Sequence, residues 1–229
     1  NLQNKPEPER IKQLFQPLSS NEILSYSDYS QGEPTILFHA LRENLLWKHP
    51  KNPSDIYNDL ASHRRISRDK AKQALLKYFY SPFREISVPS EWDLPPGHYI
   101  INLFNAVNTY RLRLWEIGSP IKGTPRHADT LFSRSIFSNP RQRIHRGTLL
   151  AWRIQGTLAD IFNSALTSVL DAHDKGDIRF LLQLYDGIYA AVTSSNINLV
   201  ANKMKEAAQD AGIELETTQK TIKKEGDGI

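Results

Sequence analysis

The sequence predicts an α+β fold in which a small antiparallel sheet lies under many helices. Most segments place apolar residues at helical spacing, whereas only a few short stretches alternate between polar and apolar residues as strands do. Two of these short stretches flank an Asp-Gly pair, which is typical of a tight antiparallel hairpin. Because the strand candidates are few and are separated by helical segments, the chain is expected to belong to the α+β class.

The first half of the chain is predicted to hold one strand and three helices. Residues 1–20 are expected to be irregular because three prolines exclude a long helix. Residues 22–29, EILSYSDY, alternate and predict a strand that ends at Asp28. Ser67 is a good N-cap for the third helix, and Pro82 stops that helix. The three helices are predicted at residues 35–47, 54–62 and 67–80.

The second half is predicted to hold three more helices and the hairpin. Four prolines make residues 82–98 a loop or an insertion, and residues 119–140 are rich in turn residues. The tight turn of the hairpin is predicted at Asp186 and Gly187. The polar tail, residues 217–229, is expected to be frayed. Helices are predicted at residues 99–117, 141–173 and 199–211, and the hairpin strands at residues 180–185 and 188–192.

The composition excludes several kinds of site and favours one kind of partner. The chain has 229 residues and no cysteine, which excludes disulfides, thiolate zinc sites and a catalytic cysteine. It has no run of about 18 apolar residues, so no membrane-spanning helix is predicted. The formal net charge of +4 makes nucleic acid a reasonable partner. The absence of cysteine also fits a reducing cytoplasm.

Two aspartates are candidate ligands of a divalent cation. Asp28 ends the predicted strand, and Asp186 lies at the tip of the predicted hairpin. If these strands are neighbours in one sheet, the two carboxylates converge, and two carboxylates together with substrate phosphates are a usual way to hold Mg²⁺. A pair of such ions could activate an attacking hydroxyl and stabilise the leaving oxygen of an in-line displacement. The alternative is that Asp186 is only a turn residue.

The predicted helix at residues 67–80 is a candidate nucleotide-binding element. Arg68, Lys72, Leu76 and Tyr80 are spaced four residues apart, so they fall along one face of the helix. Two cations one turn apart could bind a triphosphate, and the aromatic residue that follows them could stack on a base. The alternative is a solvated basic face with a packed tyrosine.

Six segments of the chain occur in an order that is typical of one enzyme family. Residues 28–33 read DYSQGE, residues 155–161 read QGTLADI, and residues 130–134 read TLFSR. They resemble DYSQ-x-E, QGTAADI and T-x-F-G-R of the family A DNA polymerases, the bacterial DNA polymerase I type. The remaining three are NLQNKP at residues 1–6, which resembles NLQN-x-P; Arg68, Lys72 and Tyr80, which match R-x3-K-x7-Y; and residues 185–187, YDG, at the place of the His-Asp-Glu of motif C. The resemblance covers nearly the whole chain and places it in the C-terminal palm and fingers region.

This resemblance implies that the chain transfers deoxynucleotides from dNTPs to a primer 3′-hydroxyl on a DNA template. Asp28 and Asp186 would hold two Mg²⁺ ions, with Mn²⁺ as an alternative metal. The backbone carbonyl of Tyr29 would add a ligand. Lys72 would be catalytic as well, because it would neutralise or protonate the leaving pyrophosphate.

The resemblance also implies which residues contact the nucleotide and the DNA. Glu33 would be a sugar gate that excludes a 2′-hydroxyl, and Gln155 would contact the minor groove of the primer–template. A solvated helix end is the alternative for each of the three arginines named below. The implied nucleotide-binding residues are Arg68, Lys72, Leu76, Tyr80, Glu33 and Gln31. The implied DNA-binding residues are Gln155, Tyr185, Arg141, Arg143 and Arg146.

Several departures from the family pattern indicate a divergent member, such as one from a bacteriophage. Tyr185 and Gly187 replace the His and the second carboxylate of motif C, and Leu76 stands where Phe or Tyr is common. In the family, a thumb and the first part of the palm lie before the NLQN segment, and the sequence shows neither. We therefore expect no thumb in this chain, and a second polypeptide that supplies the thumb and the upstream palm.

The resemblance divides the chain into three parts. Residues 1–62 would be the first part of the palm with motif A, residues 63–140 the fingers with motif B, and residues 141–229 the second part of the palm with motif C. The implied location is the cytoplasm of a bacterial or phage-infected cell. One alternative is a catalytically impaired palm–fingers module that binds DNA or a replication partner. Another is a ribonucleotide polymerase, which a sugar gate at Glu33 disfavours.

Overall fold

The computed structural model describes residues 17–49, 52–118, 127–138 and 144–222. Within these ranges the chain forms six α-helices and six β-strands, which confirms the α+β prediction. The helices are α1 (Gly32–Glu43), α2 (Pro53–Arg64), α3 (Arg68–Phe79), α4 (Tyr99–Gly118), α5 (Arg146–Asp174) and α6 (Leu199–Asp210). The strands are β1 (Ile23–Ser30), β2 (His127–Asp129), β3 (Ser135–Phe137), β4 (Arg179–Leu184), β5 (Gly187–Val192) and β6 (Glu216–Ile222).

The chain folds into two units. Among the described residues, the first unit combines those up to Gly32 with those from Ile161 onward, and it contains a four-stranded sheet and α6. The second unit is Glu33–Asp160 and contains the other helices and the β2–β3 hairpin, while α5 contributes residues to both units. The three-part division by motifs remains a prediction.

The sheet of the first unit has the strand order β4-β5-β1-β6, with every neighbouring pair antiparallel. Successive side chains of β1 lie on opposite faces of the sheet, and the two faces differ in burial. Ser25, Ser27 and Tyr29 are buried on one face, while Tyr26 and Asp28 are half-buried on the other. The Tyr29 hydroxyl donates a 2.6 Å hydrogen bond to the Met204 carbonyl, so the buried face packs on α6.

The predicted β4–β5 hairpin is confirmed, but its turn lies one residue earlier than expected. Tyr185 and Asp186 form the turn, and Tyr185 has a positive φ of 58°. Gly187 belongs to β5, where it pairs with Leu184 on one side and with Asp28 on the other.

The prediction of a frayed tail is wrong for residues 217–222. These residues belong to β6, which pairs with β1 along its length from Ser30 to Leu24. The segment is mostly polar and therefore does not read as a strand, but its three β-branched threonines suit an edge strand of the sheet. The rest of the tail, residues 223–229, lies outside the described residues.

Two helices of the second unit, α2 and α3, begin at capping residues, whereas the helix predicted from residue 141 begins at Arg146. Asn52 and Asp55 form a reciprocal capping box at the start of α2, and the Ser67 hydroxyl accepts a hydrogen bond from the Lys70 amide at the start of α3. An aromatic cluster forms part of the core: Phe104 packs edge-on against Phe79 at 5.4 Å and against Trp92 at 5.7 Å between ring centroids. The short β2–β3 hairpin was not predicted, since three-residue strands are too short to show alternation.

No helix in the described part of the chain is both long enough and apolar enough to cross a bilayer.

Candidate functional site

The sheet of the first unit brings the two predicted metal ligands together. Asp28 lies near the end of β1, and its Cα pairs with that of Gly187. Asp186 is the residue before Gly187 and occupies the β4–β5 turn. On the other side of β1, the Thr218 hydroxyl donates a hydrogen bond to Oδ1 of Asp28. The two carboxylates therefore lie at one end of the sheet, one near the end of β1 and the other in the turn that leads into its neighbour β5.

The electrostatics of this pair suit a divalent cation. Burial and, next, the negative charge of Asp186 raise the pKa of Asp28, while Lys220 opposes this effect. A cation placed at the two carboxylates would relieve their repulsion. Among the described residues, no group of three or more His, Asp or Glu side chains could hold a metal ion, so this site offers two carboxylates. That number fits Mg²⁺, which usually keeps several waters and takes one or two carboxylates plus substrate phosphates.

Tyr29 can contribute only through its backbone. Its ring is buried on the α6 side of the sheet, where its hydroxyl is bonded to Met204. Burial and then the charge of Asp186 raise the pKa of this phenol, which therefore stays protonated. The sequence-based prediction named the backbone carbonyl of Tyr29, and the position of its ring is compatible with that role.

Arg68 lies at the start of α3 in the second unit, held by two neighbours from α2. Its guanidinium carbon is 5.6 Å from the centroid of the Tyr57 ring, and its Nη2 donates a 3.2 Å hydrogen bond to the Ser54 hydroxyl. A 3.9 Å contact with Asp69 is exposed and contributes little. The contacts with Tyr57 and Ser54 orient the guanidinium while leaving it more than one-third accessible.

Glu33, Tyr80 and Gln155 form a second group in the same unit, which we call the gate cluster. Nε2 of Gln155 donates a 3.3 Å hydrogen bond to Oε1 of Glu33. Burial raises the pKa of the Tyr80 phenol strongly, and the negative charge of Glu33 raises it further. Tyr57 is also close, since the charges of both Arg68 and Glu33 affect its pKa. The structure thus brings together three residues that are far apart along the chain.

The remaining nucleotide candidates fall on two elements. Lys72 and Leu76 are half-buried on the same flank of α3 as Arg68, beside the buried core face of that helix. Gln31, in the first unit, has a positive φ of 56° in the turn after β1. Its side-chain Oε1 is buried and has no hydrogen-bond partner among the described residues. Such an atom is costly to bury unless something satisfies it.

The DNA candidates are partly described. Arg146 begins α5, and its Nη1 donates a 2.8 Å hydrogen bond to the Arg84 carbonyl. Tyr185 is 55% exposed at the hairpin turn. Arg141 and Arg143, like residues 1–6 of the NLQNKP segment, lie outside the described residues.

Sequence reasoning missed two residues that the geometry places at these sites. Thr218 donates a hydrogen bond to Asp28 from β6, a strand that was not predicted because its sequence is mostly polar. Tyr57 lies beside Arg68 and is only 2% exposed. The apolar spacing of α2 predicts that Tyr57 is a core residue, but it does not predict the contact with Arg68. Neither residue carries a local signal that distinguishes it from an ordinary strand or core residue.

Two of the recognised motifs are packed against each other in the second unit. Arg134 of TLFSR forms an ion pair with Asp160 at 2.5 Å and donates a 3.0 Å hydrogen bond to the Gly156 carbonyl. The Leu131 amide donates a 2.9 Å hydrogen bond to the Thr157 hydroxyl. The β2–β3 hairpin is therefore a brace that holds the part of α5 carrying Gln155.

Ser133→Gly is expected to stabilise this brace by about 0.5–1 kcal/mol. Ser133 has a φ of 63° in the hairpin turn. This left-handed conformation is strained for a residue with a Cβ atom, whereas glycine adopts it without strain. The resemblance places glycine at this position. Urea denaturation should show a higher midpoint for Ser133→Gly and no gain for Ser133→Ala, which removes the hydroxyl but keeps Cβ. A lower midpoint for the glycine variant would contradict this explanation.

No protein-family model matches the sequence, and no curated protein sequence matches it either. Among solved structures, the chain is similar to the POL domain of Pol1 from M. smegmatis, in complex with DNA primer-template and dNTP. The two share 20% sequence identity and a TM-score of 0.64. The match covers 97% of this chain and 44% of that chain, so this chain spans less than half the length of the matched chain. The chain therefore has a polymerase-like fold.

Proposed function

We propose that this chain is the catalytic part of a DNA-directed DNA polymerase of family A. The observation that carries the proposal is the proximity of Asp28, on β1, to Asp186, in the turn just before the neighbouring strand β5, in a polymerase-like fold. The reaction is the transfer of a deoxynucleotidyl group from a dNTP to the 3′-hydroxyl of a primer, with release of pyrophosphate. The order of the motifs along the chain supports the same assignment.

In the first unit, Asp28 and Asp186 would hold two divalent cations, with the Tyr29 carbonyl as an added ligand. Mg²⁺ fits this donor set of two carboxylates. When bound, paired ions lower the pKa of an attacking hydroxyl and stabilise the leaving oxygen. Thr218 contributes by orienting the Asp28 carboxylate through its hydrogen bond.

In the second unit, α3 would bind the triphosphate. Arg68 and Lys72 present two cations one helical turn apart, and the contacts of Arg68 with Tyr57 and Ser54 orient its guanidinium in advance. Orientation in advance matters because phosphoryl transfer is catalysed mainly by positioning and by stabilising developing charge. Lys72 would also donate a proton to the leaving pyrophosphate or neutralise its charge. Leu76 would pack against the nucleotide, and Gln31 would contribute a polar contact.

The gate cluster would select deoxynucleotides. The hydrogen bond from Gln155 fixes the carboxylate of Glu33, and the Tyr80 ring packs beside it. A carboxylate held in this way resists displacement, so it can exclude a 2′-hydroxyl by steric clash and by its own desolvation cost. Tyr80 would lie beside the templating base, and Gln155 would contact the minor groove of the primer–template. Tyr185 and the arginines 141, 143 and 146 would contact the DNA.

Glu33→Ala is expected to raise ribonucleotide incorporation. Removing the side chain leaves space for a 2′-hydroxyl, and a clash of about 1.4 kcal/mol corresponds to a tenfold change in selectivity. The ratio of kcat/KM for a ribonucleotide to that for the matching deoxynucleotide should therefore rise about tenfold or more. Glu43→Ala, at the exposed end of the same helix, is the matched control. An unchanged ratio in Glu33→Ala would remove the gate role.

Primer extension tests the proposed function directly. The partner that the resemblance implies, a polypeptide that supplies the thumb and the upstream palm, is part of the proposal. The full chain, alone and with the product of the adjacent reading frame, is mixed with a primer–template, dNTPs and Mg²⁺. Template-dependent extension supports the proposal. No extension in either mixture, with the duplex still bound, favours the second candidate function.

The second candidate is a module that binds DNA or a replication partner without catalysis. Tyr185 and Gly187 favour it, because the resemblance expects a His and a carboxylate at those positions. The two candidates differ in whether they form product. A binding module should bind the duplex with or without divalent cations and should give no product in any mixture.

A further inference from the structure

Gly187 has a tyrosine ring in the space where a side chain would lie. A Cβ added at Gly187 would be 2.5 Å from Cε2 and 2.6 Å from Cζ of Tyr26, and the nearest atom of all is the Tyr26 hydroxyl oxygen. These separations are far below van der Waals contact. Tyr26 therefore fills the volume that any residue other than glycine would need at this position.

The position of this ring brings the Tyr26 hydroxyl to the carboxylate of Asp28. Asp28 and Gly187 are direct cross-strand partners, and the Cβ atoms of such partners lie about 4.5–5.5 Å apart on one face of a sheet. The hydroxyl stands where the Gly187 Cβ would be, so it is within reach of the neighbouring carboxylate. The Tyr26 hydroxyl is thus placed to donate a side-chain hydrogen bond to the Asp28 carboxylate.

The surroundings of Tyr26 keep it in place as a proton donor. Its ring packs at 4.6 Å from that of Tyr189, its partner on β5. A tyrosine hydroxyl ordinarily keeps its proton near neutral pH, so Tyr26 can act as a hydrogen-bond donor. Thr218 donates to the same Asp28 carboxylate from β6. Two neutral donors, one from β1 itself and one from the next strand, thus fix a single carboxylate.

We propose that Tyr26 is a positioning residue for the metal site, acting at the place where the resemblance expects the second carboxylate of motif C. This inference rests on the proposed function. Tyr26 supplies a neutral hydrogen-bond donor instead of a further negative charge. It holds the Asp28 carboxylate in one orientation, and it requires glycine at position 187. Where the family pattern has a carboxylate, Gly187 leaves space for Tyr26, and Tyr26 becomes a hydrogen-bond partner of Asp28. The metal site is retained.

Binding of Mn²⁺ to the full chain, followed by electron paramagnetic resonance without DNA or dNTP, tests the role of the hydroxyl. Tyr26→Phe keeps the ring and removes the donor. Because loss of a hydrogen bond to a metal ligand typically weakens metal binding 10–100-fold, we expect the Kd for Mn²⁺ to rise about tenfold. The thermal unfolding midpoint of the metal-free protein should change little. Tyr78→Phe, which removes a hydroxyl in the second unit, should change neither quantity.

A double-mutant cycle tests the fit between Tyr26 and Gly187. Gly187→Ala should displace the ring, lower the unfolding midpoint and weaken Mn²⁺ binding. In a Tyr26→Ser background the same change should lower the midpoint much less, since the ring is gone. Equal effects in both backgrounds would show that the ring does not fill this space and would overturn the inference.

Asp28→Asn and Asp186→Asn distinguish failure of the proposed metal site from failure of the proposed role of Tyr26. If either substitution weakens Mn²⁺ binding and Tyr26→Phe does not, the metal site stands and the role of Tyr26 is refuted. If neither aspartate substitution weakens Mn²⁺ binding, the proposed metal site fails, and the role of Tyr26 fails with it. Weaker binding in all three variants supports both.

Discussion

Asp28→Asn and Asp186→Asn are each expected to lower the rate of primer extension by about 10³-fold or more. Each substitution removes one of two carboxylates at a site where the described residues offer no third acidic or histidine ligand. Loss of roughly 4 kcal/mol of transition-state stabilisation corresponds to this factor. Binding of the primer–template should persist, since phosphate contacts elsewhere supply most of the affinity for nucleic acid.

Asp28→Asn is also expected to change the thermal stability of the metal-free protein, in a way that depends on pH. The pKa of Asp28 is higher in the folded protein than in an unfolded chain, because of burial and Asp186. Ionised Asp28 therefore disfavours the fold, and this cost appears as the pH rises through the window between the ordinary and the raised pKa. Above that window, metal-free Asp28→Asn should unfold at a higher temperature than the unchanged protein. The gain should disappear at lower pH.

Asp171→Asn is the matched control for these variants. Asp171 is exposed on α5 and should affect neither extension nor unfolding. Extension that survives in Asp28→Asn would contradict the assignment of this carboxylate as a metal ligand. A metal-free Asp28→Asn protein that is less stable at neutral pH would contradict the described electrostatics.

Gly147→Ala is expected to destabilise the second unit by about 1–3 kcal/mol. A Cβ at this position would lie 2.6 Å from the backbone carbon of Tyr80 and nearer still to the carbonyl oxygens of Tyr80 and Ser81. Alanine normally stabilises a helix by about 1 kcal/mol relative to glycine, so propensity alone predicts the opposite sign. Backbone cannot move aside as a side chain can, and we therefore expect the steric cost to exceed that gain.

The consequence of Gly147→Ala should extend to the gate cluster, because the displaced backbone carries Tyr80. Arg111 is fully buried and donates 2.8 Å hydrogen bonds to the carbonyls of Ser81 and Phe83, which restricts how this turn can relax. Urea denaturation measures the loss of stability. Asn105→Ala, at an exposed site on α4, is the control for adding alanine to a helix of the same unit. A more stable Gly147→Ala protein would refute the close approach of α5 to this turn.

Much of the fold follows from local patterns in the sequence. Alternation in residues 22–29 predicts β1 and the place of Asp28 near its end, and Ser67 predicts the start of α3. These elements are predictable because their signals lie in the same short segment as their structure. The order of the recognised motifs adds Glu33 and Gln155 as candidate site residues, and the structure shows a hydrogen bond between them that the motifs do not predict.

The parts that the sequence did not predict depend on partners that are distant in the chain. β6 is polar except for Ile222, and it forms a strand because it pairs with the edge of β1, 190 residues earlier in the chain, as the contact of Thr218 with Asp28 shows. The place of Tyr26 over Gly187 depends likewise on the register between β1 and β5. Register of this kind leaves no mark in either segment alone.

The most direct test of the central claim is a crystal structure of the full chain grown with Mn²⁺ and a non-hydrolysable dNTP analogue. The account predicts anomalous density for Mn²⁺ in contact with one carboxylate oxygen from Asp28 and one from Asp186. Anomalous density elsewhere, with both carboxylates making no contact to Mn²⁺ at saturating concentration, would contradict it.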